Sequence, residues 1–419
     1  MKTAKFLIGA FICLLSFFSL LMIAVHLIPH ESIGRHCEES ALTLQEEGLY
    51  PQPLGIPLFR IDTFTDALML NMAFCADEKR PVESAMTNVF YTDDEMQVFE
   101  RTQDILHGKK TANGFFEPYA RYWHGHQTVL RPLLSIMGYK GIMRLNALCL
   151  WALALLSLTL VWRRLSLAIS TLLLLSLMVV AFPVVPRCLQ FSTCFHLTFL
   201  FIIALLLWPR LTKGSTTAAS TFFVFGGLTS FFDILTTPLL TLGLPLVVCL
   251  LQHDRWQSVK NVISLSAVWA LGYGVLWVSK CVLAQLLTGQ AVVTDFLANV
   301  RVRSVAGILS MHELLVGQFG GTVALAICLL IAAGVVALVL FSHACWKRMQ
   351  RNPKWGHHWW LLAVALIVPL WYVATLQHTV VHYWFTWRAL AVSIFSISVF
   401  IYLTKKSAHE EDCSTDTLL

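Results

Sequence analysis

Apolar residues in this chain neither alternate as in a half-buried strand nor recur as the stripe of a soluble amphipathic helix; they run nearly unbroken. The first run extends from about Phe6 to Leu27. Nine more cover about 142–162, 165–182, 190–208, 216–232, 236–251, 261–285, 319–343, 359–376 and 388–403. Most approach the ~20 residues that carry a helix across a bilayer core. The pattern predicts an all-α polytopic protein with about ten transmembrane helices. Its units are a first helix at 1–28, an extracytoplasmic loop at 29–140, a bundle of about nine helices at 141–404 and a cytoplasmic tail at 405–419. The first run also fits a signal peptide, since Lys2 and Lys5 precede it. A membrane helix is the better reading, because the run exceeds a typical signal core and Pro29 and His30 stand where a small-x-small cleavage site belongs.

Composition excludes a soluble fold. The chain is 57% hydrophobic and only 13% charged, against ~25% charged in soluble domains. The net charge of +6 does not indicate nucleic-acid binding, because the basic residues fall in short clusters between apolar runs. Lys2/Lys5, Arg163/Arg164, Arg210/Lys213, Arg255/Lys260, Lys347/Arg348/Arg351/Lys354 and Lys405/Lys406 all face one side when ten spans are threaded. Both termini are then cytoplasmic, and the outer face collects 29–140, 183–189, 233–235, 286–318 and 377–387. Eleven cysteines contain no CxxC and form neither a disulfide nor a zinc pattern. No N-x-[ST] sequon occurs, so a bacterial plasma membrane is expected over a lumenal setting.

Polar groups near a membrane are expensive and tend to have a purpose. Asp62-Thr-Phe-Thr-Asp66-Ala-Leu-Met-Leu-Asn71 predicts the start of an amphipathic helix on the membrane surface, with Asp62 and Asp66 one turn apart. Each acid has a plain alternative: Asp62 as an N-cap, Asp66 as a complement to the helix dipole. Tyr119-Ala-Arg121-Tyr-Trp-His124-Gly-His126, followed by Arg131, suits an aromatic interfacial belt or a surface that stacks sugars and pairs with phosphate. Gln377-His378-Thr-Val-Val-His382-Tyr-Trp-Phe-Thr-Trp-Arg388 repeats that chemistry. His378 and His382 have the spacing of zinc ligands on a helix, but no third ligand is evident; an anion held by Arg388 and one histidine fits better. Arg187, Arg301, Arg303 and Lys280 add positive charge to the same face. Lys280 either snorkels or meets a lipid phosphate. Asp233 lies alone between two apolar runs, as a helix-end cap or as a catalytic or ligand-positioning acid.

This layout, with the Arg121-Tyr-Trp-His124 and His382-Tyr-Trp-Phe-Thr-Trp-Arg388 segments, resembles the C-type (GT-C) membrane glycosyltransferases that use polyprenyl-phosphate sugars. The resemblance covers the layout of the whole chain and rests on short motifs. It implies inverting transfer of a hexose or pentose to a glycan, lipid or protein acceptor of the cell envelope, with Asp66 or Asp62 as general base. Arg131, Arg388 and Lys280 would neutralise the leaving phosphate, while His124 and His382 would donate hydrogen bonds to it or orient the sugar. The family's acid usually follows the first span closely, whereas Asp62 and Asp66 come some thirty residues later. No cofactor is expected, and no acidic pair calls for a divalent metal. The expected partners are the lipid-linked donor, the acceptor and membrane lipid, with no nucleic acid. A lipid-linked-sugar flippase or transporter is a second class, though no internal repeat appears and the long first loop is unusual for carriers. An O-antigen ligase or polymerase is a third, but such enzymes carry their large loop late in the chain.

Overall fold

The computed structural model describes residues 2–109, 111–304 and 358–416. It is predominantly helical, and the chain is an integral membrane protein. Helices stand at nine of the ten predicted runs; the run at 319–343 and the basic cluster Lys347/Arg348/Arg351/Lys354 lie outside the described residues. α1 (Lys2–His26) enters the first-loop domain, which contains α2 (His30–Glu47), α3 (Thr63–Cys75), α4 (Pro81–Thr87), α5 (Val98–Leu106) and α6 (Gln127–Leu134). A small antiparallel pair, β1 (Phe90–Thr92) and β2 (Phe115–Glu117), sets Tyr91 opposite Phe116. The bundle follows with α7 (Tyr139–Arg164), α8 (Leu167–Val179), α9 (Leu189–Leu207), α10 (Ser215–Phe232), α11 (Leu239–Gln252) and α12 (Val259–Thr288). After α13 (Val292–Arg303), the described chain resumes with α14 (Trp359–Ala365), α15 (Ile367–Ala374), α16 (Leu376–Val381), α17 (Tyr383–Thr386) and α18 (Ala391–Asp416).

Among the described residues, five helical segments are long and apolar enough to cross a membrane unaided: Lys2–His26, Tyr139–Arg164, Leu189–Leu207, Val259–Thr288 and Tyr383–Lys406. α8 and α11 are shorter, at 13 and 14 residues, and at 1.5 Å per residue reach only about 20 Å. Two expectations change. The stretch 377–387 is not an open loop but two short helices, α16 and α17, leading into α18. Part of 286–318 is likewise helical, as the end of α12 and α13.

The α3 helix also departs from expectation. Eight of its 13 residues are buried, including Asp66, Leu70 and Asn71, so it is a core helix of the first-loop domain rather than an amphipathic helix on the membrane. Asn71 explains how its polar residues survive there. Its amide accepts from the Tyr91 N–H (2.8 Å) and donates to the Tyr91 carbonyl (3.2 Å) and the Thr102 hydroxyl (3.1 Å), tying α3 to β1 and α5.

Small residues set the closest crossing in the bundle. A Cβ at Gly226 of α10 would stand 2.1 Å from the Trp269 carbonyl, and one at Gly272 of α12 would stand 2.1 Å from the Phe223 carbonyl. The two backbones approach each other over a reciprocal glycine pair, the usual means of close helix contact in lipid. At the opposite end from the first-loop domain, the Thr3 hydroxyl meets Thr216 at 2.8 Å, and Arg255 donates to the Thr212 carbonyl at 2.9 Å. The basic clusters at Lys2, Arg210/Lys213 and Arg255 are thereby neighbours.

Candidate functional site

The acids of α3 come first, because their surroundings differ sharply. Asp62 caps its own helix: Oδ1 accepts the Thr65 N–H at 2.9 Å. Oδ2 has a weaker partner, the Trp384 indole N–H at 3.4 Å. Burial raises the Asp62 carboxyl above its usual range, opposed by the Thr65 hydrogen bonds, Trp384 and Arg60.

Asp66 is fully buried, and four donors surround its carboxylate. The Tyr139 hydroxyl (2.7 Å) and the Leu189 N–H (2.9 Å) reach Oδ2. The Gln190 N–H (3.2 Å) and the Cys188 thiol (3.6 Å) reach Oδ1. Leu189 and Gln190 open α9, whose first amides have no partner within the helix, so Asp66 caps α9 from another part of the chain. Burial pushes its carboxyl up to about 6, while the α9 amides and Tyr139 act in the other direction. Its lone-pair directions are filled, and of the two acids only Asp62 keeps a free direction among the described residues.

Trp384 is the hub of the site. Besides donating to Asp62, its ring lies 5.4 Å from the His382 ring and 5.9 Å from Tyr50, and Arg60 sits 5.0 Å above it. The Trp384 carbonyl accepts an N–H from Arg388. Arg388 is buried with its guanidinium 4.5 Å over the Phe191 ring, and its Nε and Nη2 have no hydrogen-bond partner among the described residues. His382 lies 4.8 Å from His378, whose Nε2 meets the Leu235 carbonyl at 2.8 Å. That bond places the proton on Nε2, so Nδ1 of His378 is a buried acceptor; neither it nor Nδ1 of His382 has a hydrogen-bond partner among the described residues. Burial lowers both imidazoles, His382 to about 4, with the Arg303 charge adding to the effect. Both rings are therefore neutral at physiological pH.

Asp233 builds the turn that presents Leu235. Its carboxylate accepts the Leu235 and Thr236 N–H groups at 3.0 and 2.8 Å, and it holds Leu235 at φ 71°, a conformation rare for a branched residue. The acid thus acts on His378 through the Leu235 carbonyl rather than facing the outside. Burial raises its carboxyl to about 6.

The aromatic-basic segment forms the adjoining wall. Arg121 stacks 4.4 Å from the Tyr119 ring and pairs with Asp295 at 3.3 Å. Tyr122 stacks on Trp277 at 5.4 Å and accepts an N–H from Arg303. Arg121, Tyr122, Trp277, Asn299, Arg303 and Trp371 line a cleft of about 220 Å³ that reaches Leu235. His124, at φ 55°, is buried with Nε2 on the Tyr119 carbonyl at 2.9 Å. Burial keeps it neutral, and it braces this wall rather than lining the cleft. His126 instead lines a separate apolar groove of about 380 Å³ between α6, α7 and α9, bounded by Leu130, Ile142 and Leu197.

Two predicted cations have structural partners. Arg131 is buried and donates to the Val25 carbonyl at 2.9 Å and to the Ala73 and Ile28 carbonyls, joining the ends of α1 and α3. Lys280 neither snorkels nor reaches a lipid phosphate: it is buried, and its ammonium donates to the Met86 carbonyl at 2.6 Å and the Ala120 carbonyl at 3.4 Å. Of the predicted residues, the structure thus groups Asp62, His378, His382 and Arg388 around Trp384, with Arg121 beside them. Asp66, Arg131, Lys280, Asp233 and His124 serve as supports. Sequence reasoning missed Trp384, Tyr139 and Arg60, whose partners are distant in the chain. Among the described residues, no group of three or more His, Cys, Asp or Glu side chains is close enough to hold a metal. Compared with protein-family models, curated proteins and solved structures, the chain matches none.

Proposed function

We propose that this protein is an inverting membrane glycosyltransferase that moves a sugar from a polyprenyl-phosphate donor to an acceptor hydroxyl at the outer membrane face. One observation carries the reading: among the described residues, Trp384 gathers an under-bonded buried carboxylate, Asp62, with Arg388 and His382, both of which keep unpartnered nitrogens there. In this reading Asp62 takes the proton from the acceptor hydroxyl as its oxygen attacks the anomeric carbon. The bond from that carbon to the phosphate oxygen breaks, and polyprenyl phosphate leaves with the electron pair. Arg388 and Arg303 offset the charge gathering on the phosphate. The aromatic faces of Tyr122, Trp277 and Trp371 suit a sugar, and the groove beside His126 suits an apolar tail. The ten-span topology with cytoplasmic termini in a bacterial plasma membrane belongs to the same proposal. The neighbouring basic clusters at the far end of the bundle support it.

The test is sugar transfer by purified protein from polyprenyl-phosphate sugars. Asp62→Asn lowers transfer by about 10²–10⁴-fold with folding intact, the range for losing a positioned base. Full activity in Asp62→Asn removes the assignment. Lipid movement across vesicles without any transfer by the native protein supports the flippase instead.

A further inference from the structure

Between α2 and α3 the chain makes a closed loop. Its ends are tied by the Ile61 N–H to the Pro51 carbonyl (2.9 Å), the Thr63 hydroxyl to the Leu49 carbonyl (3.0 Å) and the Phe64 N–H to the same carbonyl (3.2 Å). Pro53–Gly55 and Pro57–Phe59 form two tight helical turns within it, so prolines fix much of its backbone. From Leu49 to Phe59 there is no charged residue.

The loop turns its apolar side chains outward. Leu54 is 87% exposed and adopts φ 59°, the left-handed region normally left to glycine or asparagine, while Ile56 and Leu58 are also exposed. A water-facing loop tip normally carries polar residues and glycine instead. The base of the loop shows what surrounds it. Phe59 and Ile61 pack into the core of the helix bundle. Just above, Arg60 lies 5.5 Å from Tyr50, 5.0 Å from Trp384 and 5.9 Å from Tyr383. Tyrosine, tryptophan and arginine collect at the headgroup level of a bilayer. This gives a ring of interfacial side chains at the base and an uncharged aliphatic tip.

We infer that the tip formed by Leu54, Ile56 and Leu58 inserts into the lipid bilayer, with Tyr50, Arg60, Tyr383 and Trp384 at headgroup level. The insertion anchors the first-loop domain four residues before Asp62, so the membrane itself helps to fix the entry to α3. It does not depend on the proposed sugar transfer.

The full chain in nanodiscs containing phosphatidylcholine with a photoactivatable acyl chain provides the test. After illumination, the peptide spanning 50–60 carries lipid adducts, as do peptides of the lipid-facing α1. Adducts on α1 without any on 50–60 overturn the inference. A second measurement uses an environment-sensitive fluorophore on Leu54→Cys or Lys79→Cys, with Cys13, Cys149, Cys328, Cys345 and Cys413 replaced by serine. Spin-labelled lipid quenches the probe at position 54 severalfold and iodide hardly affects it, while position 79 behaves in the opposite way. Equal iodide quenching at both positions also overturns it.

Discussion

One helical turn separates Asp62 from Asp66, yet their hydrogen bonds assign them different work. Asp62 keeps a weakly bound oxygen toward Trp384, whereas Asp66 is enclosed by Tyr139, Cys188 and the first amides of α9. The Asp66 carboxyl is raised to about 6 in the fold, above its unfolded value of ~3.9. The folded state therefore holds the proton more tightly, and this group's contribution to stability falls as pH rises from about 4 to about 6. Thermal unfolding in detergent across that window follows a shallower pH dependence in Asp66→Asn than in the native protein; identical slopes argue against a buried, titrating Asp66. Asp66→Ala costs more, roughly 1–3 kcal/mol for each buried donor left without a partner. Both acids stood out in the sequence, but nothing local distinguished them, because Tyr139, Leu189 and Trp384 lie far along the chain.

At the scale of elements, the glycine crossing of α10 and α12 and the capping of α9 by α3 hold the site in place. Gly226→Val pushes a side chain into the Trp269 carbonyl and lowers stability by about 1–3 kcal/mol, the usual cost of overpacking. The expected effect is a fall in the melting temperature of the detergent-solubilised protein. Gly9→Val serves as a control, since among the described residues nothing lies within 4 Å of a Cβ at that position. Apolar run length located most helices. It did not reveal that 377–387 is helical, because its His, Tyr and Trp residues interrupt the apolar pattern while the backbone continues as α16 and α17. It also misjudged α3, whose two aspartates suggested a wet face that the surrounding first-loop domain covers.

For the whole molecule, the proposed topology places the first-loop domain and the Trp384 site on the outside. Lys79 lies exposed in that domain, and Lys213 lies exposed at the far end of the bundle. With the accessible native cysteines replaced, a membrane-impermeant thiol reagent applied to intact cells labels Lys79→Cys and spares Lys213→Cys until the membrane is opened. The reverse pattern overturns the orientation. The sequence by itself determined that this is a helical membrane protein with a long polar first loop, since continuous apolar runs cannot be kept in water and basic clusters are costly to translocate. Only the tertiary structure decided which polar residues work and which support. Burial and hydrogen-bond saturation depend on partners that arrive from elsewhere in the chain: α9 for Asp66, α4 for Lys280, α1 for Arg131 and Trp384 for Asp62.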